Sequence, residues 1–115
     1  MRNGSATKFA VLQNGATATG NGATFATADP VDGAFSQLGL QVLGSGTYEI
    51  TWEATVDEVN WVAVPVTALA TATAATTATA AGLYRLDCRG LAAVRARISS
   101  RTTGTIYVYA LGVLG

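Results

Sequence analysis

The chain has 115 residues, of which 50% are hydrophobic and 12% charged, with seven basic and seven acidic side chains and no histidine. That length suits one domain with one core, and the balance argues against a disordered chain and gives no reason to expect nucleic acid. Without histidine the commonest general base and the commonest transition-metal ligand are both missing, and a single cysteine, Cys88, excludes an intrachain disulfide.

The amino terminus, "MRNGSATKF", has no apolar run behind its arginine, so no secretion signal is expected there and synthesis in a host cytoplasm is. "TKFAVLQ" (7–13) reads as a strand ended by a turn at Asn14-Gly15. "GNG" (20–22) marks another turn before "ATFAT", and "DPVDG" (29–33) is a loop. Leu38, Leu40 and Val42 then alternate with Gln37, Gly39 and Gln41 up to a turn at Gly44-Ser45-Gly46. The clearest strand follows: Tyr48, Ile50, Trp52, Ala54 and Val56 share a core face opposite Thr47, Glu49, Thr51, Glu53 and Thr55. "DEVN" (57–60) closes a hairpin, and Pro65 belongs at an edge or strand end because it cannot donate to a ladder.

The stretch "TALATATAATTATAAGLYR" (67–85) is the least ordinary. Its threonines weigh against a helix, and between Thr67 and Ala81 it lacks the glycine, serine and charge of a flexible linker. Two short strand-like pieces with a bend near Ala74-Ala75 fit it better. Tyr84, Leu86 and Cys88 alternate with Arg85 and Asp87, and Val94, Ala96 and Ile98 with Arg95, Arg97 and Ser99. "TIYVYALGVL" ends the chain as a strand partly covered on both faces. Short strands at about ten-residue spacing with turn chemistry between them predict an all-β chain, a single β-sandwich or jelly-roll-like domain. We divide it into residues 1–12, an amino-terminal arm or first strand making partner contacts, and residues 13–115, the sandwich.

Little here reads as chemistry. Glu49 and Glu53 stand about 13 Å apart along one strand, too far for a glycosidase pair, and read as a solvated face. "GNGATF" and "GSGTYE" lack the ending of a phosphate loop, and Asp29, Asp32 and Asp57 fit loop capping better than calcium. Arg95 and Arg97 are expected to pair across strands with Glu49, Glu53 or Asp87, or else to meet an acidic partner. Trp52 falls in the core by parity, Trp61 in core or interface, and Cys88 is a small buried hydrophobe. No stretch approaches the ~20 apolar residues of a membrane helix.

The ordered segments "LQNGATATGNGATF", "FSQLGLQVLGSGTYEITWEATVDEVNW" and "TATAAGLYRLDCRGLAAVRARISSRTTGTIYVYALG" resemble a group of small tailed-bacteriophage virion proteins. The likeness runs from about Leu12 to the end. It departs at Glu58, where glycine is commoner, and at Cys88. The resemblance implies capsid decoration (cement) subunits, head fibres or tail-associated adhesins, often trimeric, with no catalytic site to carry over.

The combined expectation is a non-enzymatic virion protein on the capsid surface or tail. As a decoration subunit it binds the major capsid protein or other virion proteins as a homo-oligomer, a trimer. No cofactor, metal, small-molecule substrate, nucleic acid or membrane is expected. Low charge and threonine-rich faces suit such repeated contacts. The candidate contact residues are Arg2, Lys8 and Phe9 in the amino-terminal segment, Thr71 and Thr73 in the alanine-threonine stretch, and Arg95 and Arg97. The alternative is a tail-associated glycan- or receptor-binding module, with Trp61, Tyr107 or Tyr109 as its aromatic platform.

Overall fold

Period-two alternation does build this molecule. In a computed structural model, which describes residues 7–29 and 33–114, the described chain is all β with no helix. Arg2 and Asp32 lie outside those residues. The strands are β1 (Thr7–Ala16), β2 (Thr24–Ala26), β3 (Ala28–Asp29), β4 (Gly33–Gly44), β5 (Tyr48–Thr55) and β6 (Val62–Ala63). They continue with β7 (Val66–Ala68), β8 (Thr73–Ala75), β9 (Thr77–Ala78), β10 (Gly82–Asp87), β11 (Ala93–Arg101) and β12 (Ile106–Leu114).

Two antiparallel sheets face each other as a sandwich. The seven-stranded sheet runs β1-β12-β4-β10-β7-β8, with β3 beside β4; the five-stranded sheet runs β2-β11-β5-β6, with β9 beside β5. Leu38, Leu40 and Val42 of β4 and Ile106, Val108 and Ala110 of β12 point inward from the larger sheet. They meet Ile50 and Trp52 of β5 and Val94, Ala96 and Ile98 of β11. Trp52 is fully buried against Tyr84, with ring centroids 5.7 Å apart, as its parity predicts. Cys88 is also buried; its thiol donates to the Phe35 carbonyl, and burial pushes its pKa up to about 11.

The alanine-threonine stretch is strand-forming and bends at Thr76, close to the expected Ala74-Ala75, but an unforeseen turn at residues 69–72 divides it into three pieces rather than two. Thr67 pairs with Ala74 across the β7–β8 hairpin, and after Thr76 the chain changes sheets so that β9 pairs with β5. Pro65 sits between β6 and β7, where the chain makes the same change of sheet in the opposite direction and no ladder donor is needed.

Two local expectations change. Asn14-Gly15 does not reverse the chain: β1 stays paired with β12 from Thr7 to Ala16, and Gly15, at φ 70°, forms a bulge. A left-handed glycine serves a bulge as readily as a turn. An earlier register shift, between Val11 and Gln13, turns Gln13 inward, where its amide donates to the Ala96 carbonyl of the opposite sheet at 2.7 Å. Val56 is not core but exposed, because β5 ends at Thr55 and the alternation stops with it.

The β4–β5 and β11–β12 crossovers interlock at one corner. Thr47 N–H donates to Thr103 Oγ1 at 3.0 Å, and Thr102 N–H donates back to the Thr47 carbonyl at 2.8 Å. A Cβ on Gly46 would press the Thr103 backbone and one on Gly104 the Ser45 backbone, so glycine at both is what lets the two loops touch.

Candidate functional site

The two outer faces of the sandwich differ in kind. On the smaller sheet, Arg95 of β11 stands directly opposite Glu53 of β5. Its Nε donates to Glu53 Oε1 at 2.8 Å, while Arg97 Nε donates to Oε2 at 3.0 Å. The Arg95 guanidinium also lies 4.2 Å from the centre of the Trp61 ring, a cation-π contact. Further along, Thr51 donates to Ser99 Oγ at 2.8 Å, and Ser99 donates to Glu49 Oε1 at 3.0 Å. Glu53 is therefore only 8% exposed, which corrects its reading as a solvated carboxylate. Two arginines arriving from a strand some forty residues away cover it. Of the three expected pairings, the arginines take Glu53; Asp87 pairs instead with Arg89, which holds its carboxyl down at about 2.

The outer face of the larger sheet is apolar. One cross-strand row reads Phe9, Leu111, Gly39, Arg85 and Thr67; the next reads Val11, Tyr109, Gln41 and Leu83. Leu69 continues that second row through a backbone bond to Leu83. Phe9, Leu69, Leu83 and Leu111 are all exposed. The Phe9 and Tyr109 rings lie 5.8 Å apart, and Tyr109 stacks at 6.4 Å on Tyr107. Because Gly39 has no side chain, a groove of about 390 Å³ opens between Phe9, Tyr109 and Leu111 on one bank and Leu69, Leu83 and Arg85 on the other.

A third feature is the β5–β6 hairpin. Asp57 organises it: Oδ1 accepts from Thr55 Oγ1, Val59 N–H and Asn60 N–H at 3.0, 2.9 and 2.8 Å, and Oδ2 accepts from Asn60 Nδ2 at 2.7 Å. These donors hold its carboxyl well below the usual carboxylate range. Capping, expected for Asp57, is what it does. Glu58 takes φ 63°, and the hairpin presents Val56, Val59 and Val62 at 72%, 76% and 64% exposure.

The predicted contact residues are scattered. Phe9 is on the apolar face. Lys8 lies on the inner side of β1, its ammonium 5.4 Å from the buried Phe25 ring. Thr71 and Thr73 sit in the β7–β8 hairpin beside a shallow depression of about 220 Å³. Arg95 and Arg97 are engaged with Glu53 on the opposite face. Trp61 is half-exposed under Arg95, whereas Tyr107 and Tyr109 belong to the apolar face with Phe9. Leu83 and Leu111 were missed as candidates; their exposure could be read only as strand alternation until the strand order joined them.

No family model matches the chain, and no curated protein sequence matches it. Its fold is that of known crystal structures. The SPBc2 prophage-derived protein YomS superposes with a TM-score of 0.83 at 22% identity, over 93% of this chain and 92% of that one. The PBSX exported protein XepA gives 0.84 at 20% identity, over 93% of this chain but only 37% of its own, so the same sandwich is part of a longer protein there. At these identities the likeness establishes the fold.

Proposed function

We propose that this chain is a structural subunit of a phage virion that works by binding other proteins, with no catalytic role. In the finer reading it is a capsid decoration subunit seated on the major capsid protein as a homo-oligomer. The observation that carries this is the apolar outer face of the larger sheet, with Phe9, Leu83 and Leu111 exposed together in a chain only 12% charged. A face of that kind marks a contact surface. Two further points support the reading: one structural neighbour, YomS, is named as a prophage-derived protein, and the ordered sequence segments resemble small virion proteins.

Mass spectrometry and immunogold labelling of purified particles of the encoding phage test it. We expect the chain in the particles, in many copies, with label on the head. Absence from the particles overturns the structural reading. Label confined to the tail overturns decoration and favours the second reading, a tail-associated glycan-binding module. The row Phe9, Tyr109 and Tyr107, with centroid spacings of 5.8 and 6.4 Å, is the observation that favours that alternative.

A further inference from the structure

Among the described side chains, charges are few and nearly all are used. Glu53 binds Arg95 and Arg97, Asp87 binds Arg89, Asp57 caps its hairpin, Glu49 accepts from Ser99, and Arg101 donates to the Gly104 carbonyl. Lys8 also has a partner. Two exposed charges make neither a hydrogen bond nor an ion pair through their side chains: Glu58 and Arg85. They are opposite in sign, and each stands beside exposed apolar side chains.

Glu58 sits on the β5–β6 tip, next to Val59 and between Val56 and Val62, the three most exposed large aliphatic side chains described. Arg85 rises beside Gly39 in the groove on the larger sheet, flanked by Leu83, Leu69 and Leu111. One surface is a protruding hairpin tip of exposed valines with one unpaired carboxylate, Glu58, beside the hydrogen-bonded Asp57; the other is an apolar groove with one unpaired guanidinium, Arg85.

We propose that the hairpin tip of one copy of this chain seats in the groove of the next, with Glu58 pairing to Arg85. Such a contact is heterologous, since two different patches meet, so it propagates head to tail and closes into a ring if the rotation between copies allows. Burying valines against Leu83 and Leu111 supplies the driving force, and the ion pair sets register and direction. The left-handed backbone at Glu58 fits the same purpose: it bends the hairpin tip between Asp57 and Val59 at a position where a β-strand would have kept the chain flat.

This inference rests on the reading of the chain as an assembling subunit, yet its test needs no virion, so the two fail separately. Light scattering across a dilution series is compared for the wild-type chain, Glu58→Arg, Arg85→Glu and the double exchange E58R/R85E. Wild type associates; each single reversal sets like charges facing and raises the concentration needed by about tenfold or more. The double exchange restores the wild-type mass. An equimolar mixture of the two single variants also regains association, because each hairpin tip then meets a groove of opposite charge, and that recovery shows both variants to be folded. A wild-type chain that stays monomeric throughout, leaving the groove to some other protein, overturns the proposal. So does association that neither reversal weakens, or a mixture that fails to recover while both variants melt like wild type.

Discussion

The two outer faces of this sandwich are built from the same kind of alternating strand, yet they treat their polar groups in opposite ways. On the smaller sheet the outward positions of β5 and β11 are charged or hydroxylated, and they satisfy one another: Glu53 with two arginines, Thr51 through Ser99 to Glu49. On the larger sheet the outward positions of β1, β12 and β10 include Phe9, Tyr109, Leu111 and Leu83, with Arg85 unpaired among them and Asp87, at the end of β10, tied to Arg89. A face that completes its own hydrogen bonds has little left to offer a partner. An apolar face with one unused charge has both a driving force and a label for direction. On the proposed reading, binding falls to the larger sheet and stability to the smaller one.

The largest effect should come from breaking the satisfied face. Glu53→Ala leaves Arg95, whose side chain is 16% exposed, and Arg97, at 38%, without their shared acceptor. Removing one partner of a largely buried ion pair costs about 3 kcal/mol, with Arg97 contributing the smaller share because water reaches it. Urea denaturation at neutral pH measures this. A loss under about 1 kcal/mol would mean that water already screens the cluster and that the face is polar decoration.

The apolar face should behave the other way round. Phe9→Ser and Leu111→Ser remove exposed side chains, so each should change folding stability by less than about 1 kcal/mol, the Phe9–Tyr109 ring contact included. Self-association or incorporation into particles should nonetheless fall at least about tenfold, since central apolar positions dominate an interface. If stability falls and association does not, the roles of the two faces are reversed. Gly39→Val sharpens the point further. A Cβ there would meet nothing nearer than the Leu111 carbonyl oxygen at 3.9 Å, so valine in mid-strand should stabilise the chain by about 0.5 to 1 kcal/mol. It also fills the groove floor, so the same variant should be more stable to urea and weaker in association.

How much of this was legible beforehand depends on the range of the interaction. Strict alternation in β4, β5, β10 and β11 placed Leu38, Ile50, Trp52, Cys88 and Val94 in the core, and threonine spacing marked residues 67–81 as strand-forming, though it did not reveal the turn at 69–72; both signals are local. Bulges were not legible: Asn14-Gly15 carries the same residues in a bulge as in a hairpin turn, and only the continued pairing with β12 decides between them. Glu53 looked solvated because its arginines lie on another strand, although cross-strand pairing was among the expectations for them. The groove was hidden for the same reason. Phe9, Gly39, Arg85 and Leu111 become neighbours only once β1, β12, β4 and β10 are set side by side, and no spacing along the chain records that order.

The smallest effect concerns the hairpin that carries the valine tip. Asp57 is fully exposed, yet four hydrogen bonds to its ionised form lower its pKa from the ordinary 3.8. Because the folded value is the lower one, the cap contributes fully above about pH 4 and is lost as pH falls through 3.8 toward the folded value. Amide hydrogen exchange at Val59 and Asn60, whose N–H groups bond Oδ1, reads the cap directly. Their protection should hold at pH 5 and fade below about pH 3, and Asp57→Ala should abolish it at every pH while moving global stability little. The consequence for the two faces is specific. A hairpin loosened by Asp57→Ala still displays its valines but no longer holds them and Glu58 in one arrangement, so association should weaken without any change on the larger sheet. Unchanged association in that variant would mean the tip docks as a flexible apolar segment, and that the left-handed turn at Glu58 plays no part in recognition.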